Sequence, residues 1–183
     1  MKSRWKTILL TAMLPLLLVL CVGGFAAWPE SPPPLSATAA HAARQLVSLT
    51  LPDVQGREQA LQQWQGKLRV VNLWATWCSP CRAEMPGFSR LQEKYAAKNV
   101  QFIGIALDTP DQVADYTARI PVRYPLLMGT SALLPIVAEL GNLGGAVPYT
   151  FILGQQGELR WTHTGYWSES ALDAVLIELL GKS

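Results

Sequence analysis

Two almost continuous apolar runs, LRVVNLW at 68–74 and VQFIGIAL at 100–107, flank a stretch that reads as a single helix. Runs of that length without polar alternation suit strands buried inside a sheet rather than half-exposed ones. The same alternation continues along the chain. Further strands are expected in LVSLTL (46–51, an edge strand), YPLLM (124–128), YTFIL (149–153) and LRWTHT (159–164). Helices are expected over 80–97, with a kink at Pro86, over 113–120 and 131–140, and from Ser168 to the C-terminus. GQQG at 154–157 supplies the turn of a closing hairpin. The order βαβαβαββα, with one more strand in front, implies an α/β fold: a mixed β-sheet flanked by helices on both faces.

The N-terminus obeys a different logic. Lys2, Arg4 and Lys6 precede an uncharged, mostly apolar stretch from Thr7 to Trp28. A positive flank before such a stretch keeps the N-terminus in the cytoplasm and sends the rest of the chain across the membrane. Twenty-odd helical residues span about 30 Å of hydrocarbon, so 1–28 is read as a transmembrane anchor or signal segment. Two alternatives stay open. Cleavage would use an apolar core at 8–22 and the small residues at Ala26, Ala27 or 40–42, giving a secreted soluble protein. Lipidation would use Cys21, although Leu20 stands where a small residue is expected. All three place the globular part outside the cytoplasm. Residues 29–44, rich in proline and alanine, read as a linker with nothing to form a core and with His41 solvated; the domain is then 45–183. About 140 residues can bury a core without disulfides. The net charge of +2 provides no basic stripe for nucleic acid.

Three cysteines remain to be explained, and Cys78 and Cys81 stand three apart between a buried strand and a helix start. A structural zinc needs four ligands, but the other candidates are Cys21, in the apolar segment, and the scattered His41 and His163. A purely structural disulfide closing so small a loop removes little unfolded-state entropy. Redox chemistry does need this location. Backbone N–H groups and the helix macrodipole stabilise a thiolate on Cys78, and Cys81, on the same helical face, can resolve a mixed disulfide. Pro80, early in the helix, loses no hydrogen bond there.

The stretch NLWATWCSPCRAEMP (72–86) resembles the active-site segment of the thioredoxin superfamily. Its CRAEMP continuation is similar to the TlpA-like branch, membrane-tethered extracytoplasmic thiol–disulfide proteins that include those of cytochrome c maturation. A distal VPYT (147–150) completes the pattern, and the resemblance runs from 45 to the C-terminus. It implies a thioredoxin-like fold in the periplasm, held at the inner membrane by the N-terminal segment. It also implies that Pro148 is cis and faces the sulfurs, leaving the Val147 backbone free to pair with an extended client. Thioredoxin carries a buried aspartate where this chain has Asn72, and an amide cannot take that acid–base role. Glu84, three beyond Cys81, matches an acid of the TlpA-like branch and can receive the proton of the resolving thiol if burial raises its pKa. The plain alternative is an exposed first-turn glutamate. Trp77 is expected beside the reactive sulfur as an apolar contact, and Trp74 in the core.

The function expected is a protein thiol–disulfide oxidoreductase acting as a disulfide reductant without a cofactor. It would act on a disulfide-containing protein and be re-reduced by a membrane electron donor. A thioredoxin-fold copper carrier or docking module without redox turnover is the alternative. A thiol peroxidase would require a different local pattern around its cysteine.

Overall fold

The computed structural model of the protein describes residues 36–181. The anchor, signal and lipidation readings of 1–28 lie outside them. Among the described residues no helix is long and apolar enough to cross a membrane.

The two apolar runs form the centre of the sheet. β3 (Leu68–Trp74) is buried along its whole length and pairs in parallel with β4 (Val100–Ala106). Around them lie β5 (Leu126–Met128), parallel to β4, and β6 (Tyr149–Leu153) with β7 (Leu159–Thr164), both added antiparallel. The strand order is β5-β4-β3-β6-β7, the expected mixed sheet. Side chains of β3 alternate between two cores. Val70 and Trp74 join α2 (Ser79–Tyr95), α3 (Pro110–Arg119) and α5 (Glu169–Gly181) on one face. Val71 and Leu73 join α1 (Ala37–Val47) and α4 (Leu133–Glu139) on the other. α2 runs as one helix through Pro86 to Tyr95 and is held to α5 by Arg90–Glu169 and Lys94–Asp173 ion pairs at 2.6 and 2.7 Å.

The N-terminal part of the domain departs from the expectation. Residues 37–44, read as linker, belong to α1, and LVSLTL is not one strand: the helix runs to Val47, and β1 is only Thr50–Pro52. The reason is local. Alanine is the best helix former, Ser36 caps the helix by accepting from the Ala39 N–H at 3.1 Å, and Ala39, Ala42, Ala43 and Leu46 recur at helical spacing. Small residues let this face lie close on the sheet, so they build core without looking apolar in a hydropathy pattern. The small-residue run at 40–42 therefore sits inside α1, with Ala42 fully buried, while His41 is exposed as expected. β2 (Glu58–Ala60) and the 3-10 turn Leu61–Trp64 were not anticipated; β2 pairs antiparallel with β1 beside the β5 edge, where Asp53 bridges Leu127.

Candidate active site

The site begins where β3 ends. The chain leaves the sheet after Trp74 and turns through Ala75 to Trp77, with the Thr76 N–H and hydroxyl both donating to Asp108 at the end of β4. These bonds and that from Thr109 outweigh burial and hold the Asp108 carboxyl below its ordinary range, so the turn is anchored on a fixed charge. Cys78 is the N-cap of α2, and its Sγ accepts from the Cys81 N–H at 3.2 Å. A cap position normally takes a side-chain oxygen; here sulfur meets the unpaired amides and the positive end of the macrodipole. Cys78 and Cys81 are joined as a disulfide. Cys81 is fully buried, Cys78 is 5% exposed, and the neighbouring Trp77 is 68% exposed. Trp74 is in the core, as expected.

Glu84 lies in the second turn of α2, one helical turn past Cys81, and is 2% exposed, which removes the exposed first-turn alternative. Asn72 Nδ2 donates to its Oε1 and the Trp167 N–H to its Oε2, each at 2.9 Å. Burial outweighs these two bonds and raises its pKa from 4.5 to about 7. The carboxyl is thus poised to gain or lose a proton near neutrality.

Three residues of this assembly went unnoticed in the sequence or were given no part in it. Asn72 has no ionisable proton, but its amide positions the group that does, and its Nδ2 also donates to Thr150 Oγ1 at 3.0 Å. Thr150 is its cross-strand partner in the β3–β6 register. A polar residue interrupting each of two buried apolar strands was the available signal. Trp167 offered none, because its contribution is a main-chain amide from the β7–α5 loop. Its ring stacks on that of half-buried His163 at 4.5 Å, which accounts for His163 without a ligand role.

The Val147–Pro148 bond is cis, as the resemblance implies. Val147 packs against the cluster that contains both cysteines. The Pro148 carbonyl accepts from the Gly165 N–H at 2.8 Å, with Gly165 at φ 88°, a conformation glycine adopts without strain. The segment 165–167 therefore spans from the cis-proline to Glu84.

Residues 42–162 match the AhpC/TSA family. The chain is 27% identical over 135 residues to the thiol-disulfide oxidoreductase ResA of Halalkalibacterium halodurans, covering 73% of this chain and 74% of that one. It is 30% identical over 137 residues to the thioredoxin-like protein YneN of Bacillus subtilis, covering 73% and 77%. Among solved structures, a thioredoxin-related protein from Neisseria meningitidis serogroup B superposes with TM-score 0.65 and 34% identity over 73% of this chain and 99% of that one. A thiol:disulfide interchange protein of Chlorobium tepidum TLS gives TM-score 0.65 and 28% identity over 73% and 93%. The chain belongs to the AhpC/TSA family, and with this cysteine pair at the helix start it is a thiol–disulfide oxidoreductase of thioredoxin-like fold.

Proposed function

We propose that the protein is an extracytoplasmic protein-disulfide reductant that works through a mixed disulfide, with Cys78 as nucleophile, Cys81 as resolving thiol and Glu84 as their proton partner. One observation carries the reading: Cys78 Sγ caps α2 while a carboxyl with a pKa of about 7 is buried one turn past Cys81. In the reduced protein the amides at the helix start favour the Cys78 thiolate. That thiolate attacks a client disulfide; a Cys78–client S–S bond forms and one client sulfur leaves as thiolate. Cys81 then gives its proton to Glu84 and attacks Cys78, restoring the Cys78–Cys81 disulfide and releasing the second client thiolate. Two electrons pass to the client, whose thiolates take up protons from solvent. The backbone at Val147, beside the cis-proline, is the docking edge for an extended client, and Trp77 supplies apolar contact.

Direction and place rest on the sequence. The pair CSPC lacks a histidine between its cysteines, a residue that would stabilise the thiolate and favour oxidation of clients. The positively flanked apolar segment supports a domain outside the cytoplasm, where a reductant needs a membrane electron donor.

The test is alkylation of the reduced protein at pH 7 together with trapping in Cys81→Ser. Cys78 is expected to react at least about tenfold faster than an unstructured thiol, and the variant to accumulate covalent client adducts. An ordinary alkylation rate or an absence of adducts refutes the reading. A reduction potential near that of strong oxidants would reverse the direction of electron flow, and stoichiometric metal binding without reductase activity would favour a carrier.

A further inference from the structure

Glu84 Oε2 is bonded by a loop amide, that of Trp167, and a loop amide keeps its aim only if the chain around it is held. Residues 165–168 join β7 to α5. Ahead of Trp167, the Gly165 N–H is tied to the Pro148 carbonyl. Behind it, Ser168 opens α5, its hydroxyl accepting from the Ala171 N–H at 3.3 Å and its carbonyl from the Leu172 N–H at 3.0 Å. Tyr166 lies between these anchors with its side chain 52% exposed, so its own ring does little to fix the peptide that follows it.

His163 of β7 holds that peptide from the other end. Its Nε2 lies 3.2 Å from the Tyr166 carbonyl oxygen, and that carbonyl shares one peptide unit with the Trp167 N–H. The His163 ring also stacks on the Trp167 ring at 4.5 Å and 23°. The sheet register explains why position 163 is the one that reaches. Thr150 of β6 is the cross-strand partner of Asn72 on β3 and of His163 on β7, so the three form one row across the sheet. Both ends of the row arrive at the same carboxyl. Asn72 donates to Oε1 directly, and His163 meets Oε2 through the 166–167 peptide.

We propose that His163 is a positioning residue for Glu84: by donating to the Tyr166 carbonyl and stacking on Trp167, it fixes the peptide whose N–H bonds to the carboxyl. The proposal rests on the reading of Glu84 as proton partner of Cys81. A peptide unit is planar, so holding its oxygen aims its N–H. A hydrogen bond received by the oxygen also polarises that N–H toward the carboxylate. A carbonyl only accepts, so Nε2 carries a proton in the neutral ring and in the imidazolium alike, and the clamp persists while Nδ1 titrates. The bond it secures favours the ionised carboxyl, so loosening it raises the pH at which Glu84 gives up its proton. The other groups facing Glu84 stay in place when His163 is replaced. They are Cys81 on its own helix, Asn72 from β3, and Tyr124 ahead of β5, whose burial keeps its hydroxyl neutral.

The test replaces His163 by alanine, glutamine or phenylalanine in the full chain and follows the carbon-13 shift of the Glu84 carboxyl against pH. Loss of the signal in Glu84→Gln identifies it. His163→Ala is expected to raise the midpoint by about one unit. His163→Gln, which keeps a donor for the Tyr166 carbonyl, should restore most of that shift, and His163→Phe, which keeps only the stack, should restore less. Midpoints equal to the parent's overturn the proposal. So does an equal rise in all the variants, which would report only the lost imidazolium charge. The glutamine–phenylalanine comparison stands even if the alanine variant does not fold. Exchange of the Trp167 amide proton should quicken about tenfold in His163→Ala while the Gly165 amide keeps its rate; equal acceleration of both is general loosening and overturns the proposal. The pH profile of mixed-disulfide resolution tests the underlying reading separately. If it moves with the Glu84 midpoint, both stand; if the midpoint rises and the profile does not follow, His163 still positions Glu84 and the proton role of Glu84 fails.

Discussion

Replacing Glu84 by glutamine should change stability in opposite directions at the two ends of the neutral range. The carboxyl has a pKa of about 7 in the folded protein against 4.5 when free of it. Because the folded value is the higher one, the folded state retains a proton that the unfolded chain releases between those two values. The stabilising contribution is therefore complete below pH 4.5, falls as pH rises, and is gone above about 7. At 1.36 kcal/mol per unit, the separation is worth about 3 kcal/mol. Glutamine does not ionise and escapes that loss. It does, however, offer one acceptor oxygen where Glu84 accepts from both Asn72 and the Trp167 amide. Asn72 Oδ1, which has no partner among the described residues, can turn to meet the new amide, which limits the cost to about 1 kcal/mol. The expected result is a variant less stable than the parent at pH 4.5 by about 1 kcal/mol and more stable at pH 8 by about 2 kcal/mol. Urea unfolding of both oxidised proteins across that range measures it, and subtracting the two curves removes every other titrating group. A difference that stays constant with pH would refute the account of Glu84 as a carboxyl held protonated by burial.

Asn72→Asp sets a second carboxyl at the 2.9 Å position beside Glu84, and two such groups share one proton. The pH at which Cys81 resolves a mixed disulfide should rise by about one unit, read from the rate profile. Leu46→Ala should cost 2–4 kcal/mol, in the manner of a core leucine, and Ser36→Ala about 1 kcal/mol; urea unfolding checks both, and negligible effects would return α1 to the status of a spacer. Tyr149→Phe removes a buried hydroxyl that donates to the Leu140 carbonyl at 2.6 Å. A loss of about 1–2 kcal/mol is expected in the same assay.

The centre of the fold could be read from the chain because β3 and β4 are buried on both faces, and such strands leave an unmistakable apolar run. α1 escaped that reading. Its buried stripe is mostly alanine, which contributes little to a hydrophobic pattern, and it follows a proline-rich stretch that suggests extension. β1 and β2 have three residues each, too short for periodicity to show. At the site, the cysteines and Glu84 were visible because their spacing along one helix is local. The shell around them was not: Asn72 meets Thr150 and Trp167 meets Glu84 across 78 and 83 residues of sequence. The cis bond before Pro148 was expected only through resemblance, since nothing local to VPYT distinguishes it from other proline bonds.

The short connection between β7 and α5 has a consequence for how clients are handled. Its first residue hangs from the Pro148 carbonyl and its third from the buried acid. If a client pairs with the cis-proline edge as proposed, any shift of that edge would pass through this connection to the Trp167 amide, which lowers the pKa of Glu84. On that reading, lengthening the connection should separate client occupancy from the ionisation of Glu84 while leaving both cysteines untouched.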